Sequence, residues 1–410
     1  MKHTRQFPVW ELVLIGMLLL TFMDFKLYSL HLMVLSFVYF GVIRGRLCLP
    51  NGVVPLVLLT FVLFIFWPAS LFSPTALAKR LVWPAAFLLG YNLILPRTSD
   101  SQSAEKAESR ANIYFFLAVA GFFIHLVLNL YVNAGQIVQD RNTLDFWSMQ
   151  RRAATGQAGL ACVPLAWSIS NIIKEETFFK KVPAILVLGT VMYYNLTLGS
   201  RTVVFSFAVI FAVALIYFIN AKATEKNKGR ALFWVVIACI LCVLVYSGNV
   251  GGIRELVENS ILSNRLMEDG STQITQDSRW ARKLKYVMLM PQYMFGGSNI
   301  YRSVGGFAHD VLLDTYDEAG VFAFLAVIAL LWDSISKLGR LLKSNQVQFD
   351  TKLTLLCIYL AVLIEFTVEP IFAGMPWLLM VFCFFHGIVT RLVKNTATAI
   401  YYNQTVACSN

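Results

Sequence analysis

The stretch FAHDVLLDTYDEAG, residues 307 to 320, closes a polar insert that begins near Gly248 and ends near Glu318. Long apolar runs lie on both sides of this insert. Hydrophobic residues make up 58% of the 410 residues and charged residues 14%, a composition that excludes an ordinary soluble domain. We therefore expect a membrane protein whose reactive side chains are concentrated in the insert.

The apolar runs predict the fold. A helix needs about 20 apolar residues to cross a bilayer, so we predict an all-α polytopic membrane protein, a single domain of residues 1–410. It has about twelve transmembrane helices, and the insert, residues 248–318, is a large loop between spans nine and ten. The predicted spans are residues 8–23, 27–43, 53–72, 81–95, 111–132, 158–173, 182–198, 202–220, 231–247, 319–336, 353–366 and 376–389.

The basic residues predict the orientation. Short loops rich in Lys and Arg, such as Arg44 to Arg46 and Lys222 to Arg230, favour the cytoplasmic side, because cytoplasmic loops carry an excess of positive charge. Both termini are then cytoplasmic and the insert is periplasmic. Because the net charge of +11 comes mainly from such loops, we expect no nucleic-acid partner. The insert nevertheless contains seven Lys and Arg residues, against the topological preference, which indicates an anionic ligand there.

Arginines are the candidate ligands for this anion. Arg201 follows Gly199 at the turn between spans seven and eight, and Arg279 begins an amphipathic segment of the insert. A guanidinium group binds phosphate oxygens with two parallel hydrogen bonds. Alternatively, Arg201 only reaches the membrane interface, and the helix of Arg279 lies on the membrane, with Lys283 and Lys285 touching lipid headgroups. Further predicted substrate-binding residues are Arg151, Arg152, Arg254, Arg265 and Arg302.

His309 is the candidate general base. It lies in a polar segment, and imidazole titrates near neutral pH, as suits removal of a proton from a sugar hydroxyl. Asp310 or Asp314, both predicted to contribute to the substrate site, could orient the ring. The remaining histidines of the apolar runs are predicted to be packed or hydrogen-bonded core residues: His31, His125 and His386.

Two glutamates near the end of a span, and the absence of nucleotide- and metal-binding motifs, also bear on the predicted chemistry. Glu365 and Glu369 lie near the outer end of span eleven, where carboxylates need partners such as nearby arginines. The sequence contains no Walker motif, no HExxH and no convincing DxD-like metal pair. We therefore expect no metal, no nucleotide and no other cofactor.

Three segments resemble a known family. GSRT (199–202), DSRWARKL (277–284) with FGGSN (295–299), and AHDVLLDTYDEAGVFAFL (308–325) resemble the bacterial O-antigen polymerase and O-antigen ligase superfamily of GT-C-related membrane glycosyltransferases. Members of the family commonly have Asn or Ser after the histidine, where this chain has Asp310. The resemblance implies that Arg201 and Arg279 hold the diphosphate of a lipid-linked donor and that His309 activates the acceptor.

The resemblance also implies a reaction and a location. An O-antigen polymerase of the bacterial inner membrane would transfer the growing glycan from undecaprenyl diphosphate to the non-reducing end of the next lipid-linked repeat, on the periplasmic side. The alternative is a ligase that transfers the finished glycan to lipid A core. A flippase for lipid-linked sugars is less favoured, because the candidate arginines gather on one side. Expected partners are the lipid-linked oligosaccharide, membrane lipid and a chain-length regulator.

Overall fold

A computed structural model describes residues 8–66, 74–94, 103–134, 142–174, 177–222, 247–249, 252–263 and 278–409. Within these residues the fold is helical apart from one antiparallel hairpin of two three-residue strands. This confirms the all-α class. The first half of the chain forms α1 (Val9–Phe22), α2 (Ser29–Arg44), α3 (Val54–Phe66), α4 (Pro74–Leu93), α5 (Ser103–Val132), β1 (Asn142–Leu144), β2 (Arg151–Ala153), α6 (Ala154–Ala158), α7 (Cys162–Lys174), α8 (Phe178–Leu198) and α9 (Arg201–Lys222).

The insert and the C-terminal part are also helical where the structure describes them. The described part of the insert contains three helices of six to twelve residues and the start of a long helix, and two more long helices follow it. These elements are α10 (Ile253–Glu258), α11 (Ser278–Leu289), α12 (Asn299–Val304), α13 (Val311–Lys343), α14 (Phe349–Val368), α15 (Ile371–Gly374) and α16 (Pro376–Ser409).

Length and composition indicate a membrane-embedded protein. Among the described residues, six helices are long and apolar enough to cross a membrane, namely α5, α8, α9, α13, α14 and α16 over most or all of their lengths. Shorter apolar helices coincide with the first three predicted spans. Nearly all of the ninth predicted span, residues 231–247, lies outside the described residues.

The chain forms two compact units, each built from discontinuous segments. Unit 1 comprises Met1–Ile124, Ser278–Lys352 and Phe366–Asn410, and unit 2 comprises His125–Asp277 and Leu353–Glu365.

Unit 1 is centred on the packing of α4 against α16. A Cβ atom at Gly90 would clash with the Phe384 carbonyl oxygen, and one at Gly387 would clash with that of Phe87. Only glycine allows the two backbones to come so close, as in many membrane helix pairs. The buried His386 ring lies 3.0 Å from Asp333 of α13, which confirms its prediction as a hydrogen-bonded core residue.

Unit 2 contains a buried polar network between the end of α5, the hairpin and α8. The Asn129 side chain donates to Gln157 at 2.6 Å and accepts from the Phe146 backbone at 2.8 Å. The Tyr194 hydroxyl donates to the same Gln157 oxygen at 2.9 Å. Since these groups are buried, their mutual hydrogen bonds offset the cost of removing them from water.

Helix α13 contains a break that separates its polar start from its apolar part. Gly320 has φ 78° and ψ −169°, a conformation that is strained for any residue with a side chain. The loop after α11 enters this break, where Val321 donates to the Met294 carbonyl at 2.9 Å and Ser298 donates to that of Asp317 at 2.8 Å. The break falls within two residues of the predicted boundary between insert and span ten.

Candidate active site

The start of α13 fixes the backbone around His309. Asp310 is the N-cap residue, and its side chain accepts from the backbone of Leu312 at 3.0 Å and of Leu313 at 3.3 Å. Asp314 accepts from the backbone of Ala308 at 2.8 Å. Asp310 thereby satisfies backbone N–H groups that a helix start leaves without partners, and Asp314 holds the residue before His309.

Between Ala308 and the N-cap residue Asp310, His309 has a left-handed backbone conformation with φ 58°. Such a conformation is uncommon for a residue other than glycine and persists only where the surrounding contacts impose it. The Asp310 and Asp314 side chains contact backbone groups and Lys283, so they shape the His309 backbone rather than orient its ring.

The carboxylate that faces the His309 ring is Glu369, in the turn between α14 and α15. Its Oε2 atom lies 3.7 Å from His309 Nδ1, and its Oε1 atom lies 3.6 Å from Arg279 Nη1. Glu369 is only 2% exposed. Nδ1 is buried and has no hydrogen-bond partner among the residues that the structure describes. The predicted pairing of Glu369 with an arginine is confirmed, and one buried carboxylate joins the candidate base to a candidate phosphate ligand.

One face of α11 supplies the positive charge. Arg279 Nη1 donates to the Val368 carbonyl at 2.9 Å, next to its ion pair with Glu369. Lys283 donates to the Thr367 carbonyl and lies 3.4 Å from Asp310 Oδ2. The prediction that Lys283 only touches lipid headgroups was therefore wrong. The spacing of four residues between Arg279 and Lys283 could have indicated this, because it places both on one helix face.

The same face of α11 also holds the segment before His309. Arg282 donates to the Phe307 carbonyl at 3.3 Å, and the Tyr286 hydroxyl donates to that of Gly306 at 2.9 Å. Tyr286 is fully buried. Burial, with the nearby carboxylates Asp317 and Asp314, raises the pKa of Tyr286 well above its usual value. The hydroxyl therefore stays protonated and remains a hydrogen-bond donor at physiological pH.

The other arginines of the insert have different surroundings. Arg302 is exposed on α12 and interacts electrostatically with Asp317. Arg254 is exposed on α10 and forms an ion pair with Glu258 at 2.8 Å. Arg265 lies outside the described residues. Their predicted roles in substrate binding stay predictions.

The three candidate arginines outside the insert all belong to unit 2. Arg201 is exposed at the first residue of α9. It follows Gly199, where a Cβ atom would lie 2.6 Å from the Ile261 side chain. Ile261 therefore packs directly against the turn that precedes Arg201. Arg151 and Arg152 lie on β2 rather than in an irregular loop, where they pair with Leu144 and Thr143 of β1.

Arg152 belongs to an ion-pair group on the hairpin. Its Nε atom lies 3.9 Å from Asp145, which also lies 2.9 Å from His125 Nε2. Burial alone would raise the pKa of Asp145, but hydrogen bonds from His125 and Ser148, together with Arg152, lower it to about 2. Asp145 is therefore ionised at physiological pH. The prediction that His125 is a hydrogen-bonded core residue is confirmed.

Comparisons with known proteins contribute no assignment. No family model matches the sequence, and no curated protein matches it. Among the described residues, no three His, Cys, Asp or Glu side chains are grouped so that they could hold a metal ion. The chemistry of His309, Glu369, Arg279 and Lys283 is thus the basis for a function.

Proposed function

We propose that this chain is a membrane glycosyltransferase that moves a glycan from a polyprenyl diphosphate to a sugar hydroxyl, with His309 as general base. The observation that supports this most is the cluster of His309, Glu369 and Arg279. It places a group that can take a proton beside fixed positive charge, and its central carboxylate is buried.

In the proposed reaction one bond forms, one bond breaks and one proton is transferred. The acceptor oxygen attacks the anomeric carbon of the donor, and its proton passes to His309. The bond between that carbon and the diphosphate oxygen breaks, and the diphosphate leaves with the electron pair. Because Nδ1 faces Glu369, we assign Nε2 as the nitrogen that accepts the proton. The Glu369 carboxylate stabilises the imidazolium that forms, as a carboxylate does in hydrolase triads.

Arg279 is suited to the departing diphosphate. Its side chain is 34% exposed although Nη1 is held by Val368 and Glu369. A guanidinium group that is anchored on one side and reaches solvent on the other is already oriented when an anion binds. Fixed positive charge of this kind stabilises negative charge that develops on a leaving group. Lys283, held by Asp310 and the Thr367 carbonyl, adds a second cation to the same helix face.

The finer assignment rests on the sequence resemblance. It favours an O-antigen polymerase that uses undecaprenyl diphosphate-linked repeats at the periplasmic face of the inner membrane, with a ligase as the alternative. In that proposal Arg201 contributes to diphosphate binding as well.

Complementation of a host that lacks the gene tests the reaction. Lipopolysaccharide from the deleted strain is displayed on a gel. Core capped with a single repeat indicates a lost polymerase, and bare core with accumulated lipid-linked polymer indicates a lost ligase. Repeats trapped on the cytoplasmic side indicate a lost flippase and contradict the proposed chemistry.

His309→Ala tests the general base. We expect loss of product from purified protein supplied with polyprenyl diphosphate-linked saccharide, while insertion and thermal stability stay close to wild type. His31→Ala, on α2 of the same unit, is the matched control and should retain activity. Normal chain formation by His309→Ala would contradict the assignment.

A further inference from the structure

Helix α11 has a second face, opposite to the one that contacts the candidate site. Four apolar side chains on it are exposed, with Trp280 at 71% and Met288 at 63%. At about 100° per residue, the exposed stripe and the contact face each cover an arc of roughly 100°. We call these four side chains the apolar stripe: Trp280, Leu284, Val287 and Met288.

The apolar stripe continues onto the surface of a membrane-spanning helix. After α11, Met294 and Phe295 are also exposed, and the backbone of Phe295 lies against the break at Gly320. Beyond the break, α13 exposes further apolar side chains, among them Phe322 and Trp332. Because α13 is long and apolar enough to cross a bilayer, these exposed apolar side chains lead from a candidate membrane span to α11.

The edges of α11 are basic. Lys285 is exposed beside the apolar stripe, and the Lys283 ammonium lies 5.2 Å from the centre of the Trp280 ring. A helix with Trp and aliphatic residues on one side and Lys and Arg on the others is typical of helices that lie in the membrane interface. Tryptophan is enriched at the depth of the headgroups.

We propose that α11 lies in the headgroup region of the bilayer, with the apolar stripe inserted at the boundary with the acyl chains. This location agrees with both hypotheses from the sequence, anion binding by Arg279 and a helix that lies on the membrane, because different faces of α11 serve them. One face binds lipid, and the other holds Arg279 and Lys283 at the start of α13. Resting on the proposed function, this places the diphosphate ligands at the depth where the headgroup of a lipid-linked donor lies.

Tryptophan fluorescence in lipid nanodiscs tests the location without any glycan transfer. The emission of Trp280 is taken as the difference between wild type and Trp280→Phe. We expect lipids brominated near the headgroup end of the acyl chain to lower this emission by about twofold or more, as for a side chain within reach of the acyl boundary. Matched difference spectra serve as controls: Trp332→Phe for an exposed residue of a spanning helix and Trp83→Phe for a buried residue.

Moving the reporter around the helix gives a second measurement. In the Trp280→Phe background, Met288→Trp restores a tryptophan on the apolar stripe and Lys285→Trp places one beside it. Brominated lipid should quench the first and not the second, and aqueous acrylamide should do the reverse. Equal quenching of both by acrylamide overturns the proposal.

Two further results separate the possible failures. If Trp280 is shielded from both quenchers, and the shielding depends on the protein-to-lipid ratio, then a second copy covers the stripe and the proposal is wrong. If the fluorescence result holds while complementation shows no glycan transfer, α11 is an interfacial helix and only the proposed function fails.

Discussion

Glu369→Gln is the substitution that tests the candidate site most directly. Glutamine keeps the size of the side chain but removes the charge that faces both His309 Nδ1, at 3.7 Å, and Arg279 Nη1, at 3.6 Å. The variant should fold, because Arg279 still donates to the Val368 carbonyl. It should lose the charge that stabilises the protonated base.

The expected loss follows from the distances. A unit charge pair near 4 Å is worth about 4 kcal/mol at an effective dielectric constant of about 20. Because Arg279 shares the carboxylate and is itself 34% exposed, we expect about half to three quarters of that value. A loss of about 2 to 3 kcal/mol corresponds to a decrease of about 30- to 150-fold in kcat.

The assay is glycan transfer by purified protein in nanodiscs, with kcat and KM measured separately. We expect kcat to fall and KM to change little, and Glu369→Asp to restore part of the rate because it keeps the charge. Glu108→Gln is the control, since Glu108 is a buried carboxylate of the same unit that accepts from Gln348, beyond the opposite end of α13. A Glu369→Gln enzyme with wild-type kcat, or a loss equal to that of Glu108→Gln, would refute the role of Glu369.

Three further predictions concern Lys283, Arg201 and Gly320. Lys283→Ala should lower transfer by about tenfold, because it removes an ion pair and a hydrogen bond at the site. Lys285→Ala should have little effect. Equal losses for the two variants in the transfer assay would contradict the assignment of Lys283 to the contact face of α11. Arg201→Lys should reduce turnover by about tenfold or more, because lysine lacks the guanidinium fork; near-normal turnover would make Arg201 an interface anchor. Gly320→Ala should lower the unfolding free energy by about 1 to 3 kcal/mol, because Gly320 has a positive φ and backbone packed against it. Gly339 has open space around it, so Gly339→Ala should stabilise the helix by up to about 1 kcal/mol. Chemical denaturation compares the two variants.

The helices were predictable because a run of apolar residues is a local property of the sequence. Runs of apolar residues placed helices at the predicted spans that fall in the described residues, and the change from polar to apolar residues near Glu318 marked the break at Gly320. The two residues that contact Glu369, His309 and Arg279, were also singled out by residue type and context.

The partners of those residues were not predictable in the same way. Asp310 was expected to act on substrate or on the His309 ring, but a helix start leaves backbone N–H groups without partners, and the nearest acceptors bind them. The hairpin that carries Arg151 and Arg152 was also missed, because three-residue strands are too short for an alternating pattern.

The sequence by itself determined that this is a helical membrane protein, and it placed His309 and Arg279 in one polar insert. Only the tertiary structure decided that Glu369 faces His309 and that α11 presents cations to one side and apolar residues to the other. Apolar periodicity specifies which residues avoid water, but it does not specify which helix ends lie next to each other in the fold. That choice depends on close packing and on satisfying each buried charge, and both require segments distant in the chain to be in place together.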